Sequence, residues 1–252
     1  MRRAALTVGI DWPIPLGVPP SSTIEAFTAD IPRDDLQSYS SWLEIIQKKW
    51  NNLGKPKTAK VRTIIWRSGS EEGDYFPTTS NPEWEIAVSA LDIKPIEWFR
   101  LGPSPIVQCP PVIPWFKSLS AMPYVMASQY ATTKGWEDAL LINPHGQFIE
   151  SSRSNLFFWK DGYCYTPSVM EGCLPGIASQ FLIQFLATHG HSVRNATAHY
   201  EDLQGASSIW LTNSLRGIIR VQQWDHHRLG LDPFAELAEQ ANAAMQGGSE
   251  IL

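Results

Sequence analysis

The sequence predicts a mixed α/β fold, and three observations carry that prediction. Between Asp34 and Trp50 apolar residues recur at three- and four-residue spacing, the period of a helix packed on one face. Between Asp138 and Trp159 two apolar runs, D-A-L-L-I-N and F-I-E-S-S-R-S-N-L-F-F-W, flank the turn P-H-G-Q, which reads as a β-hairpin. Beyond it, short helical and extended patterns alternate. With 252 residues, 43% of them hydrophobic, the chain can bury a substantial core as one large domain or two smaller ones.

Taken in order, the residues up to Pro20 carry Pro13, Pro15, Pro19 and Pro20 and suit an irregular or edge segment, followed by one short strand, S-S-T-I-E-A-F-T-A. The first helix carries Leu36, Tyr39, Trp42, Leu43, Ile46 and Trp50 on its apolar side. Asp34 and Asp35 in its first turn and Lys48 and Lys49 in its last complement the macrodipole, and it ends before Gly54. A-K-V-R-T-I-I-W-R and E-W-E-I-A-V-S-A-L read as strands around the loop S-G-S-E-E-G-D. The prolines from Pro103 to Pro114 read as an inter-domain linker, giving a smaller domain at 1–108, a linker at 109–116 and a larger domain at 117–252.

In the second half, A-M-P-Y-V-M-A-S-Q-Y-A-T-T-K-G reads as a helix with Gly135 in the left-handed cap position. In the hairpin's second strand, simple alternation puts Phe148, Glu150 and Ser152 on one face. A turn at K-D-G leads into Y-C-Y-T-P, and a helix after Gly176 carries Phe181, Phe185 and Leu186 and stops at His189-Gly190. S-V-R-N-A-T is a short strand, and S-S-I-W-L-T-N-S is a buried strand ending in a polar cluster. G-I-I-R-V follows, and Asp232 with Pro233 starts a last helix.

Composition excludes several function classes. A net charge of -5 gives no electrostatic reason to expect nucleic-acid binding. No run approaches the ~20 apolar residues that span a bilayer, and the start M-R-R-A-A-L-T-V-G-I-D-W has too short an apolar run for a cleaved signal. Cys109, Cys164 and Cys173 form neither a C-x-x-C pair nor an even disulfide set, which fits a cytoplasmic protein. His189 with His191, and Asp225 with His226 and His227, lack an obvious third ligand, so no metal is expected. No G-x-S-x-G elbow supports a serine hydrolase.

The remaining chemistry lies between Trp115 and Gln180, with a further group at 212–214. Lys117 stands among Pro114, Trp115, Phe116 and Leu119, a setting that favours a neutral, nucleophilic amine. Glu150 sits on a strand, and Gly176, Ile177 and Ala178 open a helix whose amides can hold a phosphate. Thr212, Asn213 and Ser214 add donors at a strand end. An amine, a carboxylate and a helix N-terminus are the three groups a pyridoxal phosphate site requires.

This order resembles the class IV aminotransferases, the fold-type IV pyridoxal phosphate enzymes. The family pattern is a lysine, then G-x-x-x-E-x-x-x-x-N-x-F, then T-P and L-P-G-I. It stands here as Lys117, Gly146 to Phe157, Thr166-Pro167 and Leu174-Pro175-Gly176-Ile177, between Lys117 and about Val221. The resemblance implies two α/β domains, the first shortened, like D-amino-acid aminotransferase, with pyridoxal 5'-phosphate in the cleft and a homodimeric assembly. It assigns Lys117 as the Schiff-base lysine, Glu150 as partner of the ring nitrogen, Leu174 as a ring contact, and Ile177 and Ala178 as phosphate amides.

Three departures from the pattern stand out. Ala178-Ser179 replaces the T-R that usually follows Gly-Ile, Ala121 stands near where relatives carry Tyr or Arg, and the first half has no H-L-x-R-L segment. W-L-T-N-S-L-R-G-I resembles the T-N-S-L segment of 4-amino-4-deoxychorismate lyases, which implies a small-molecule amine substrate and β-elimination of pyruvate to give 4-aminobenzoate for folate synthesis. The alternatives are an aminotransferase acting on branched-chain or D-amino acids and a non-catalytic relative.

Overall fold

The computed structural model describes residues 39–67, 82–94, 96, 98–109 and 117–247. The irregular segment and strand expected before residue 30, the acidic turn at Asp34 and Asp35, the S-G-S-E-E-G-D loop and most of the 109–116 segment lie outside the described residues. The chain divides into two compact units, Met1–Lys94 and Pro95–Leu252.

In the first unit, α1 (Tyr39–Asn52) follows the apolar periodicity and ends where Gly54 takes φ 78°. Trp50 Nε1 donates to the Pro56 carbonyl at 3.0 Å and ties the chain leaving the helix back onto it. The two expected strands form an antiparallel pair, β1 (Ala59–Arg67) and β2 (Pro82–Ala90), registered from Ala59 opposite Ala90 to Arg67 opposite Pro82. α1 lies against β2.

The second unit holds β3 (Arg100–Val107), α2 (Met122–Lys134), β4 (Asp138–Ile142), β5 (Phe148–Ser151), β6 (Asn155–Lys160) and β7 (Tyr163–Thr166). A 3-10 turn at Val169–Glu171 leads to α3 (Ile177–Thr188), β8 (Val193–Asn195), α4 (Tyr200–Gln204), β9 (Ser208–Asn213) and β10 (Gly217–Arg220). The short β11 (Gln223–Trp224) and β12 (His227–Arg228) precede α5 (Ala235–Gly247). The strands form one sheet in the order β10-β9-β6-β5-β4-β3-β11-β12, with β7 pairing both β6 and β8.

Two expectations are corrected here. The stretch read as linker from Pro103 onward is a strand as far as Val107, and by compactness the chain divides between Lys94 and Pro95. Prolines cannot donate to a ladder, and the β3–β4 register accordingly shifts between Pro103 and Val107. The apolar run from Phe148 to Trp159 is likewise two strands, because the chain reverses at Ser152–Ser154 and returns as β6. Asp138 builds that reversal. Its buried carboxylate accepts from Ala139 N at 2.9 Å, Ser151 Oγ at 2.9 Å and Ser152 N at 3.2 Å, while Ser151 Oγ accepts from Ser154 N at 3.1 Å.

The central strands are buried on both faces, which explains why L-F-F-W reads as continuously apolar. Leu156 and Phe158 of β6 enter one core with Ile209 and Leu211 of β9, Phe148, Leu101 and Trp224. Phe157 and Trp159 point the other way, with Trp210 of β9, Leu182 and Leu186 of α3, and Ala238 and Ala241 of α5. Trp159 stacks on Phe234 with centroids 3.7 Å apart. Among the described residues no helix is long and apolar enough to cross a membrane. Replacing Trp159 by Ala is expected to destabilise the protein by about 3–5 kcal/mol, read from chemical denaturation. A loss below about 1 kcal/mol would mean that this core collapses around the gap.

Candidate active site

Glu150 is the second-to-last residue of β5, and antiparallel register places it opposite Asn155, the first residue of β6. Directly paired residues share a sheet face, so both side chains project together. Glu150 is 3% exposed, and every hydrogen bond to its carboxylate comes from a donor. Tyr124 OH donates to Oε1 at 2.7 Å; Asn155 Nδ2 and Leu174 N donate to Oε2, each at 3.1 Å. Burial pushes the Glu150 carboxyl up to about 7, opposed by Tyr124, the Leu174 amide and the charge of Lys117.

Tyr124 enters from the first turn of α2, which has proline at its start and ends on Gly135 at φ 72°, as expected. Burial and the Glu150 charge raise its phenol well above the usual range, so it stays a proton donor. Sequence reasoning had looked for such a side chain at Ala121. The signal that finds Tyr124 is helical: it is the first polar ring in the helix that follows Lys117.

Lys117 is exposed, as are Ser118, Leu119 and Ser120 after it. The desolvated amine expected from its apolar neighbours is therefore not observed on this side, while Pro114 to Phe116 lie outside the described residues. Its charge is the smallest of the influences that oppose the burial of the Glu150 carboxyl.

The third element is the start of α3. Gly176 is its N-cap and supplies no side-chain cap, so the first-turn amides have no partner of that kind. A Cβ at Gly176 would collide with Asn155 Oδ1, so a side chain there would force the Asn155 amide to move. Ile177 is exposed, whereas Ala178 and Ser179 are buried. Leu174 is half-buried, its amide on Glu150 and its carbonyl on Asn155 Nδ2 at 2.7 Å.

At the end of β9 the three expected donors part company. Thr212 is fully buried opposite Asn155, and its Oγ1 has no hydrogen-bond partner among the described residues. Asn213 is committed to the fold: Nδ2 donates to Ser154 Oγ at 2.8 Å, and Oδ1 accepts from Leu215 N and Arg216 N. Ser214 is exposed in the turn before β10.

These residues fit pyridoxal phosphate. A buried carboxylate held by donors alone suits a protonated ring nitrogen, an amine lies within its field, and an uncapped helix start offers amides to a phosphate. Ser152 Oγ, beside Glu150 in sequence, is a second buried hydroxyl without a partner among the described residues. Cys173 does not compete as a nucleophile, because burial pushes its thiol up to about 12.

The raised Glu150 carboxyl has a pH consequence. Between its ordinary value of 4.5 and about 7, cofactor-free folded protein holds a proton that the unfolded chain has released, so stability from this group is present below 4.5 and lost as pH rises through about 7. From about pH 5 to about pH 8, wild type should lose on the order of 3 kcal/mol more than Glu150→Gln in urea unfolding. Parallel pH profiles for the two proteins would contradict this.

Comparison with known proteins identifies the family. The family model for amino-transferase class IV matches residues 21–224. Aminodeoxychorismate lyase of Vibrio harveyi is 28% identical over 111 residues, 44% of this chain and 41% of that enzyme, so the match spans less than half of the relative's length. The Escherichia coli branched-chain amino acid aminotransferase structure superposes with a TM-score of 0.73 at 19% identity, covering 88% of this chain and 75% of that one. An aminotransferase from Brucella abortus bound to the cofactor PLP superposes with a TM-score of 0.67 at 19% identity, covering 85% and 76%. The likeness in structure establishes the shared fold, and the family match establishes descent: the chain belongs to the amino-transferase class IV family.

Proposed function

We propose that this protein is a pyridoxal phosphate-dependent 4-amino-4-deoxychorismate lyase, forming 4-aminobenzoate and pyruvate for folate biosynthesis. The observation that supports the cofactor chemistry is the buried Glu150 carboxylate, held by the Tyr124, Asn155 and Leu174 donors. The choice of lyase rests on T-N-S-L at the end of β9 and on the similarity to a curated lyase.

When bound, pyridoxal phosphate supplies an electrophilic carbon and an electron-withdrawing ring. The chain's residues do the rest. Glu150, drawn into its charged form by a cation at the ring nitrogen, keeps that nitrogen protonated. Leu174 would pack on the ring, and the amides of Ile177 and Ala178 would hold the phosphate, with Gly176 admitting it to the helix start while its own amide is spent on the Leu174 carbonyl. Thr212, with an unused hydroxyl, adds a donor to the cofactor or to a substrate carboxylate. Asn213 shapes the turn that presents Ser214 to the same groups. Lys117, exposed and without an ion pair among the described residues, would hold the cofactor and take the proton from the amine-bearing carbon of the substrate. The electron pair left behind forms the ring's last double bond as the adjacent carbon–oxygen bond breaks, enolpyruvate leaves with that bond's electrons and becomes pyruvate on taking up a proton, and 4-aminobenzoate remains.

A cytoplasmic homodimer is part of the proposal. The free cysteines suit a reducing compartment, and Leu119, Met122, Val125 and Met126 expose an apolar stripe suited to a second copy.

Pyruvate release from 4-amino-4-deoxychorismate, measured with the cofactor-loaded protein, tests the function. The proposal expects turnover that falls at least about 10³-fold in Lys117→Ala. Amino transfer to keto acids without pyruvate release would replace the lyase by an aminotransferase.

A further inference from the structure

Asn155 stands at the centre of the site, yet no step above uses it. Its side chain is 91% buried in effect, being 9% exposed, and an Asn amide has only two N–H donors. Both are spent: one on Glu150 Oε2 at 3.1 Å, the other on the Leu174 carbonyl at 2.7 Å. Leu174 N donates to the same Glu150 oxygen at 3.1 Å, so Asn155, Glu150 and the Leu174 peptide close a ring of three hydrogen bonds. Gly176 N also donates to the Leu174 carbonyl, at 2.9 Å, and Asn155 Oδ1 occupies the space that a Cβ at Gly176 would need.

Asn155 is fixed in turn from behind, since its backbone pairs with both Glu150 on β5 and Thr212 on β9. The last torsion of Glu is broad, and the Tyr124 hydroxyl on Oε1 and the Leu174 amide on Oε2 each restrain it with a single hydrogen bond. The amide of Asn155 adds a second donor to Oε2 and ties that oxygen to the Leu174 carbonyl as well. We infer that Asn155 is the positioning residue of this site, locking the Glu150 carboxylate to the Leu174 main chain so that the acid facing the ring nitrogen and the residue packing on the ring move as one unit. This rests on the cofactor reading above.

The test compares two ligands by absorbance titration: pyridoxal phosphate, and its analogue in which a C–H replaces the ring nitrogen. Wild type should prefer pyridoxal phosphate, and Glu150→Gln should lose that preference. Asn155→Ala should reduce the preference by about tenfold, the scale for one hydrogen bond to a charged group, while affinity for the analogue changes less. Asn155→Leu keeps most of the side-chain volume, lacks both N–H donors and adds no charge beside Glu150, and should reduce the preference in the same way even if the alanine variant does not fold. A merely structural role would weaken both ligands equally. An intact preference in the Asn155 variants therefore overturns the inference and leaves the cofactor reading standing. No preference in wild type overturns both.

Discussion

A carboxylate taken out of water costs several kcal/mol unless its lone pairs find donors, and Glu150 is almost wholly out of water. Three elements distant in sequence converge to meet that demand. The first turn of α2 brings the Tyr124 hydroxyl, the start of β6 brings the Asn155 amide, and the chain entering α3 brings the Leu174 amide. Each hydrogen bond helps hold the charge and also fixes the position of its own element. The arrangement remains incomplete electrostatically, because burial still holds the carboxyl near 7. A group that brings a cation to Glu150 would complete it, which is the physical reason to read the site as a cofactor cradle.

The sheet supplies the stiffness. β5, β6 and β9 lie side by side, with large apolar side chains on both faces of β6 and β9. The polar residues Glu150, Asn155 and Thr212 sit at neighbouring register positions near the ends of these strands. The serine-rich reversal after Glu150, organised by Asp138 and held to β9 through Ser154 and Asn213, ends β5 where the site begins. Polar groups buried at the strand ends of a densely packed sheet inherit the order of its core.

Much of this was legible in the residues because local pattern and final structure obey the same rule. The helices at Tyr39–Asn52, Met122–Lys134 and Ile177–Thr188 show apolar periodicity or clear stop signals, and the strands from Val193 to Arg220 are bounded by turn residues. The reversal at Ser152–Ser154 was hidden because L-F-F-W, buried on two faces, extends the apolar run on its far side. β3 was hidden because prolines normally argue against a strand, and only the register shift beside β4 reconciles the two. Lys117, Glu150 and the Gly-Ile helix start are proposed from their order in the sequence, whereas the hydrogen bonds of Tyr124 and Asn155 to Glu150 are tertiary. Neither residue type announces that its donors will be aimed at one carboxylate.

The most direct measurement of the central claim is to add pyridoxal phosphate to the purified protein, reduce with borohydride, and map the modified peptide by mass spectrometry. The account predicts a single dominant label on Lys117, diminished when Glu150 is replaced by Gln. Label spread over surface lysines, or none on Lys117 in folded protein, would contradict it and leave the buried carboxylate without the chemistry assigned to it.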